Sequence, residues 1–258
     1  MTKVFLLLLS VATLQANSQN TKDTTGVTKN LVKLNLSSLV VGNYMAQYER
    51  VIGKRSSLAL AIGYAPNASL PFKNALLDQF GDNQDAKEAI ESTVYTKWTY
   101  TLEYRYYLGK KGAPKGFYVA PFARYMSMEL DHEFRFTPSD NIRHTAAIHS
   151  KFNAFGGGVM FGTQWLIKKN WGIDFWIVGG FYGSDINAKF HGTDPIGGLD
   201  AQDMADLEAD IEDVDLPGFT IDATVTQHPS GAPATADATL KGNWYGLRGA
   251  GICVVYRF

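Results

Sequence analysis

Alternation of apolar and polar residues is the sequence feature that most constrains this chain. Across residues 98–106, tryptophan, tyrosine or leucine occupies every second position, and threonine, glutamate or arginine lies between them. Successive side chains of a β-strand point to opposite faces, so this pattern predicts a strand with one apolar and one polar face. Eight segments alternate in this way: 31–39, 44–51, 57–64, 96–108, 117–129, 152–165, 171–182 and 244–258. We therefore predict an all-β protein with eight antiparallel strands.

The connections between these segments differ in length in a regular way. Those after the second, fourth and sixth segments are short (52–55, 109–116 and 166–170). The first segment is also followed by a short turn, and the remaining connections are long (65–95, 130–150 and 183–242). Short turns at one end and long loops at the other are typical of up-and-down transmembrane β-barrels of the bacterial outer membrane. This pattern predicts short periplasmic turns, long extracellular loops and both termini in the periplasm.

The first residues of the chain have the pattern of an export signal. Lys3 precedes a short apolar run, and small and polar residues follow it. We predict a signal peptide at 1–19, a periplasmic linker at 20–30 and a barrel domain at 31–258. A mean hydropathy of −0.13 fits a membrane barrel, in which only alternate residues face lipid. The net charge of −1 gives no reason to expect nucleic acid as a partner.

The polar face of the predicted strands carries several charged side chains. Because side chains just fill the interior of an eight-stranded barrel, these charges are expected to pair with one another and not to line a pore. The predicted lumen charge network consists of Glu49, Glu103, Arg105, Arg124 and Asp174. A soluble β-sandwich or lipocalin-like barrel, with its aromatic faces turned inward, is the alternative fold.

Two parts of the sequence resemble known protein families. The C-terminus, Gly-Ile-Cys-Val-Val-Tyr-Arg-Phe at 251–258, resembles the last strand of outer-membrane proteins, which the barrel-assembly machinery reads. This resemblance implies that Tyr256 and Phe258 form the assembly signal. Residues 31–36, 102–108 and 115–122 resemble an uncharacterised outer-membrane barrel family common in Bacteroidetes. That resemblance implies an eight-stranded barrel like the OmpA or OmpX transmembrane unit, and it implies no activity.

The predicted outer loops contain the remaining candidates for chemistry. The loop 183–242 is acidic, and residues 200–215 have helical spacing in part. Its carboxylates could bind Ca²⁺, with Asp206, Asp210 and Asp213 as candidates, but no defined Ca²⁺ motif is present, and a solvated acidic surface is the preferred interpretation. The pattern of residues 74–92 predicts a short amphipathic helix, which packs over the barrel mouth as a cap or, as the alternative, rests at the membrane surface. Five histidines are predicted in the outer loops: His132, His144, His149, His191 and His228.

The histidines raise the question of an enzyme. His149-Ser150 and His132-Glu133 could contribute to a lipid hydrolase or acyltransferase site, but no nucleophile motif such as Gly-x-Ser-x-Gly occurs. We therefore predict a monomeric outer-membrane barrel without enzymatic activity or a cofactor. Its expected role is structural or in surface interaction through the outer loops. Outer-membrane lipids, lipopolysaccharide and an unknown extracellular molecule are the expected partners. A lipid-modifying enzyme and a ligand-binding periplasmic or secreted sandwich are the alternatives.

Overall fold

A computed structural model describes residues 28–70, 73–79, 84–167, 170–213, 219–228 and 232–258. The predicted signal peptide and most of the predicted linker lie outside these residues. The described strands are β1 Asn30–Asn35, β2 Tyr44–Val51, β3 Ser56–Ser69, β4 Val94–Tyr107, β5 Gly116–Phe136, β6 His144–Leu166, β7 Trp171–Asp194, β8 Phe219–Gln227, β9 Ala234–Arg248 and β10 Gly251–Arg257. The described helices are α1 Leu36–Val40, α2 Lys73–Gln79, α3 Gln84–Ser92 and α4 Ala201–Glu212. None of these helices has the length and apolar character needed to cross a membrane.

The strands form one antiparallel sheet that closes on itself. Strands β1 to β7 pair in chain order, and β10 pairs with both β7 and β1. The closed ring therefore passes through β1 to β7 and β10. Strand β9 pairs with β7 beyond the end of β10, and β8 pairs with β9. We call the ring formed by β1–β7 and β10 the barrel.

The predicted count of eight strands is too low, because the sheet formed by the described residues has ten strands. The predicted strand 244–258 is divided at Gly249 and Ala250, so that β9 and β10 are separate strands along β7. Residues 219–227 and 234–242, predicted as loop, are also strand. The strands β5, β6 and β7, at 21, 23 and 24 residues, are longer than predicted and occupy much of the expected loops.

Burial alternates along the strands of the barrel, and the apolar side chains are the exposed ones. In β1, Lys33 is 1% exposed, whereas Val32 and Leu34 are 44% and 47% exposed. In β4, Glu103 is fully buried and Leu102 is 53% exposed. The alternative fold with inward aromatic faces is therefore wrong for the barrel, because the charged side chains of its strands face inward and most of their large apolar side chains face outward.

Beyond the barrel the long strands continue as an open sheet. We call this part the sheet extension and define it as residues 127–136, 144–153, 187–194, 219–227 and 234–242. The inner face of the sheet extension is apolar, and helix α4 contacts it at β8. The predicted helix at 74–92 is two helices, α2 and α3, and α3 contacts β5 through an ion pair between Glu88 and Arg135.

Helix α4 begins and packs as its sequence dictates. The side chain of Asp200 accepts hydrogen bonds from the backbone N–H groups of Gln202 and Asp203, both at 2.8 Å, and Asp203 completes a capping box. Two glutamates of α4 reach the free side of β8. Glu208 accepts a hydrogen bond from the Val225 N–H at 2.7 Å, and Glu212 accepts one from the Ala223 N–H at 2.9 Å. These bonds satisfy backbone groups on the side of β8 that, within the described residues, faces no other strand.

Candidate functional site

Five charged side chains lie inside the barrel with no exposed surface. They are Lys33 of β1, Glu49 of β2, Glu103 and Arg105 of β4, and Asp174 of β7. We call these five residues the barrel charge cluster. Each of these residues points inward, and at least one of its two neighbours in the strand is an outward apolar residue. The alternation that forms the strands therefore also brings these charges together inside the barrel.

Arg105 is at the centre of the barrel charge cluster. Its Nη1 atom lies 2.6 Å from Asp174 Oδ2, and its Nη2 atom lies 2.7 Å from Glu103 Oε2. The same guanidinium donates to Gln47 Oε1 at 2.9 Å. The arginine therefore joins side chains of three strands, β2, β4 and β7, through charge-assisted hydrogen bonds.

Lys33 supplies the second cation. Its Nζ lies 2.7 Å from Asp174 Oδ2, forms an ion pair with Glu49, and donates to Gln164 Oε1 at 2.6 Å. Neutral hydroxyl groups donate further hydrogen bonds to the carboxylates. Tyr107 donates to Glu49 at 2.7 Å, and Tyr118 donates to Asp174 at 2.8 Å. Three carboxylates thus face two cations, and tyrosine hydroxyl groups provide further donors to two of the carboxylates.

The structure brings together four of the five residues of the predicted lumen network: Glu49, Glu103, Arg105 and Asp174. Arg124 lies apart from them, where its Nε donates to Thr101 Oγ1 at 3.0 Å and its guanidinium lies 5.8 Å from the centre of the Phe122 ring. Lys33 is not part of the predicted network, but in the structure it forms ion pairs with Glu49 and Asp174. Its inward position between Val32 and Leu34 is the sequence signal that could have included it.

Apolar side chains fill the barrel next to the charges. A buried cluster contains Met45, Phe122, Met160, Trp176 and Cys253, together with the rings of Tyr107 and Tyr118. The indole N–H of Trp176 donates to the carbonyl of Gly249 at 2.8 Å, at the break between β9 and β10. Cys253 is 2% exposed in this cluster.

The predicted assembly signal lies where the barrel closes. Phe258 and Asn30 exchange two backbone hydrogen bonds, the Phe258 N–H donating at 2.9 Å and the Asn30 N–H at 3.3 Å. The Tyr256 ring lies 5.1 Å from that of Trp171 and 6.4 Å from that of Phe258. These aromatic residues form a cluster at the end of the barrel that holds both ends of the described chain.

The histidines lie mainly on strands and not in loops. His132 is on β5, His144 and His149 are on β6, and His191 is on β7. Only His228 lies outside a strand, directly after β8. His149 is exposed on the outward face, whereas Ser150 is 1% exposed on the inward face. Adjacent strand residues point to opposite sides, so the predicted His149-Ser150 pair is not formed.

Two of these histidines are shielded from solvent in the sheet extension. His144 is fully buried, and its Nδ1 lies 2.6 Å from Asp194 Oδ2. Asp194 also accepts hydrogen bonds from the backbone N–H groups of Ile196 and Gly197, both at 3.1 Å, which fixes the turn after β7. His132 is half-buried, and this burial lowers its pKa, which favours the neutral imidazole.

An apolar cavity of about 120 Å³ lies between α4 and the inner face of the sheet extension. Its lining includes Phe134, Ile148, Leu207 and Val225. Leu207 and Ile211 of α4 both line it, so the helix turns apolar side chains to this cavity.

The acidic face of α4 does not form a metal centre. Asp206 accepts a hydrogen bond from Gln202 at 2.7 Å, and Asp206, Asp210 and Asp213 are exposed. Within the described residues, no group of three or more His, Cys, Asp or Glu side chains is arranged to hold a metal ion. Asp206, Asp210 and Asp213 are therefore surface carboxylates in this structure, and the Ca²⁺ hypothesis has no converging site.

The strand pairing defines the class of this protein: a closed antiparallel β-barrel with an attached sheet extension. The family model described as "Protein of unknown function (DUF3575)" matches residues 4–197, and the chain belongs to that family. No curated protein matches the sequence.

Two solved structures share a limited resemblance with the chain. CarO2 of Acinetobacter baumannii is 15% identical with a TM-score of 0.38, and the match covers 85% of this chain and 98% of that one. A major outer membrane protein of Thermus thermophilus is 18% identical with a TM-score of 0.39, covering 90% of this chain and 100% of that one. The fold assignment rests on the strand pairing of the present chain.

Proposed function

We propose that the chain is an outer-membrane β-barrel with a closed lumen, and that its sheet extension contacts molecules outside the lipid. The outward belt of apolar side chains around the barrel is the observation that carries this proposal. Soluble proteins rarely expose contiguous apolar surface on this scale. The exposed members include Val32, Leu34, Leu58, Leu60, Ile62, Tyr100, Leu102, Tyr104, Val159, Phe161, Ile177 and Ile252.

Aromatic rings border the belt at both ends. At one end the rings of Tyr64 and Trp98 stack at 4.1 Å, and the row continues through Tyr100 to Tyr125. At the other end lies the aromatic cluster around Trp171. The segment of β4 from Trp98 to Tyr106 has nine residues, within the range of about 9–11 residues with which a tilted strand crosses a bilayer. Such girdles lie at the headgroup level of a bilayer.

Along the outward face of β5 and β6 the side chains change from apolar to polar, and this change is the proposed limit of lipid contact. Tyr125 pairs with Phe155 at the apolar side of this boundary. Two residues further along each strand, Ser127 pairs with Asn153, and Glu129 then forms an ion pair with Lys151 at 2.7 Å. Because a membrane strand needs only about 9–11 residues to cross, the rest of β5 to β7 extends into water. This polar face is the proposed contact surface for lipopolysaccharide headgroups or an extracellular partner.

The barrel charge cluster supports a closed lumen. Inside the barrel Arg105 links β4 to β7 and Lys33 links β1 to β7, and Met160 and Trp176 belong to the buried apolar cluster in the same interior. The proposed role is therefore contact at the surface, by a monomer, without transport through the barrel and without catalysis. Recognition of Tyr256 and Phe258 by the barrel-assembly machinery is part of the same proposal.

The proposal is tested by the behaviour of the full chain. We expect recovery in the outer-membrane fraction, a folded band in detergent that migrates differently after heating, and no stepwise conductance in planar bilayers. Recovery in soluble periplasm without detergent would contradict the membrane location. Conductance steps that persist in an unheated sample and vanish after heating would contradict the closed lumen.

A further inference from the structure

Four side chains form one row across the outward face of the sheet extension. Asp131 of β5 pairs in register with His149 of β6, His149 with His191 of β7, and His191 with Asp237 of β9. Directly opposed residues of antiparallel strands have Cβ atoms about 4.5–5.5 Å apart. The two imidazole rings are therefore neighbours, and each has a carboxylate on the side away from the other ring.

Hydrogen bonds to these carboxylates orient both rings. His149 Nδ1 lies 2.6 Å from Asp131 Oδ1, and His191 Nδ1 lies 2.7 Å from Asp237 Oδ1. An ionised carboxylate only accepts, so the Nδ1 atom of each ring carries the hydrogen and each Nε2 of a neutral ring has a free lone pair. The two nitrogens of imidazole point in nearly opposite directions. Because both Nδ1 atoms point outward along the row, both Nε2 lone pairs point towards the space between β6 and β7.

The geometry points to a binding site for a divalent transition-metal ion, of which Zn²⁺ and Cu²⁺ are examples, held by Nε2 of His149 and of His191. Neutral imidazole is a preferred ligand of these ions, whereas Ca²⁺ and Mg²⁺ prefer oxygen. A carboxylate behind each metal-binding histidine is the arrangement that fixes the ring and raises its basicity. The side chains of His149 and His191 are 57% and 54% exposed, so water can complete the coordination.

The site depends only on the sheet extension and not on the membrane location of the barrel. It also differs from the acidic surface of α4, because its donors are nitrogen atoms on two strands.

The test is metal titration of the full chain folded in detergent. We expect calorimetry with Zn²⁺ to give one ion per chain, and the Cu²⁺ complex to show two nitrogen ligands by electron paramagnetic resonance. His149→Ala or His191→Ala should weaken binding by at least about tenfold, and Asp131→Asn by about 10- to 100-fold, as loss of an outer-shell partner does. His228→Ala, which removes an exposed histidine outside the row, is the matched control and should leave affinity unchanged.

Both histidines are exposed, so the variants should keep the folded gel mobility of the parent chain. Unchanged Zn²⁺ affinity in the folded His149→Ala, His191→Ala double variant would overturn the proposal. A Cu²⁺ spectrum with one nitrogen ligand would overturn it as well.

Discussion

The barrel and the sheet extension use the same strands with opposite arrangements of polarity. Along β6 the even-numbered residues point inward throughout. In the barrel the inward Gln164 is polar and the outward Phe161 is apolar, whereas in the sheet extension the inward Phe152 is apolar and the outward Lys151 is polar. The backbone does not decide which face is apolar. In the membrane location that we propose, the surroundings decide it, because lipid favours an apolar outer face and water favours a polar one.

Removing the central cation of the barrel should give the largest effect. Arg105→Ala leaves three buried carboxylates with one cation, and breaking a buried ion pair in this way destabilises a protein by about 3–5 kcal/mol. The loss of unfolding free energy is measured by incubating the protein in detergent at increasing urea concentrations and following the fraction in the folded gel band. Arg143→Ala, at an exposed arginine next to the sheet extension, is the control and should change stability by less than about 1 kcal/mol. Equal losses in the two variants would contradict a stabilising role for the barrel charge cluster.

A lysine scan along one face of β6 should locate the boundary between the two regions. Val159→Lys places a charge on the outward belt, where it should destabilise the membrane-inserted protein by about 2–4 kcal/mol. Ala147→Lys lies on the same face of the same strand in the sheet extension and should have little effect. The free energy of folding into lipid vesicles is measured for both variants. Similar free energies for the two variants would mean that lipid does not surround the belt.

The contact between α4 and β8 should give an intermediate effect. Glu208→Ala removes the acceptor of the Val225 N–H, and hydrogen bonds to charged groups contribute about 1.5–3 kcal/mol. We expect faster hydrogen exchange at Val225 and Ala223, with exchange in the barrel unchanged. Asp210→Ala, at an exposed carboxylate of the same helix, is the control. Uniformly faster exchange across the barrel would show that the two regions unfold together.

Acidification should give the smallest effect, local to the contact of Ser139 with Asp203 of helix α4. The backbone N–H of Ser139 donates to Asp203, which holds the pKa of that carboxyl below its usual range. The stabilisation is complete above the ordinary pKa of aspartate and is lost as the pH falls through the lowered value. Exchange of the Ser139 N–H should therefore accelerate at acidic pH in the parent chain. In Asp203→Asn this local pH dependence should be absent, and a persisting dependence would assign it to another group.

The sequence predicted the barrel strands well because outward apolar and inward polar residues alternate strongly along them. The inward placement of Glu49, Glu103 and Asp174 follows directly from the outward placement of their apolar neighbours. Arg124 satisfied the same rule and still lies outside the barrel charge cluster, because alternation gives the face of a residue but not its height in the barrel. Strand pairing, which the sequence leaves open, sets that height.

The sheet extension was predicted as loop for a different reason. Residues 219–226 do alternate, with Phe219 and Ile221 on one face and Thr220 and Asp222 on the other. This segment was nevertheless interpreted as a solvated loop, because acidic residues lie nearby and many of its side chains are small alanine and threonine. The row from Asp131 to Asp237 depends on the register of β5, β6, β7 and β9, and no spacing within one segment encodes it.

The two glutamates of α4 also affect how neighbouring molecules can associate. A strand with unsatisfied N–H groups is a template on which another chain can add a strand. By occupying the Val225 and Ala223 N–H groups, Glu208 and Glu212 leave β8 with fewer groups for such an addition. Helix α4 thereby favours separate molecules over edge-to-edge polymers, and its loss should appear first as aggregation and not as a change in the barrel.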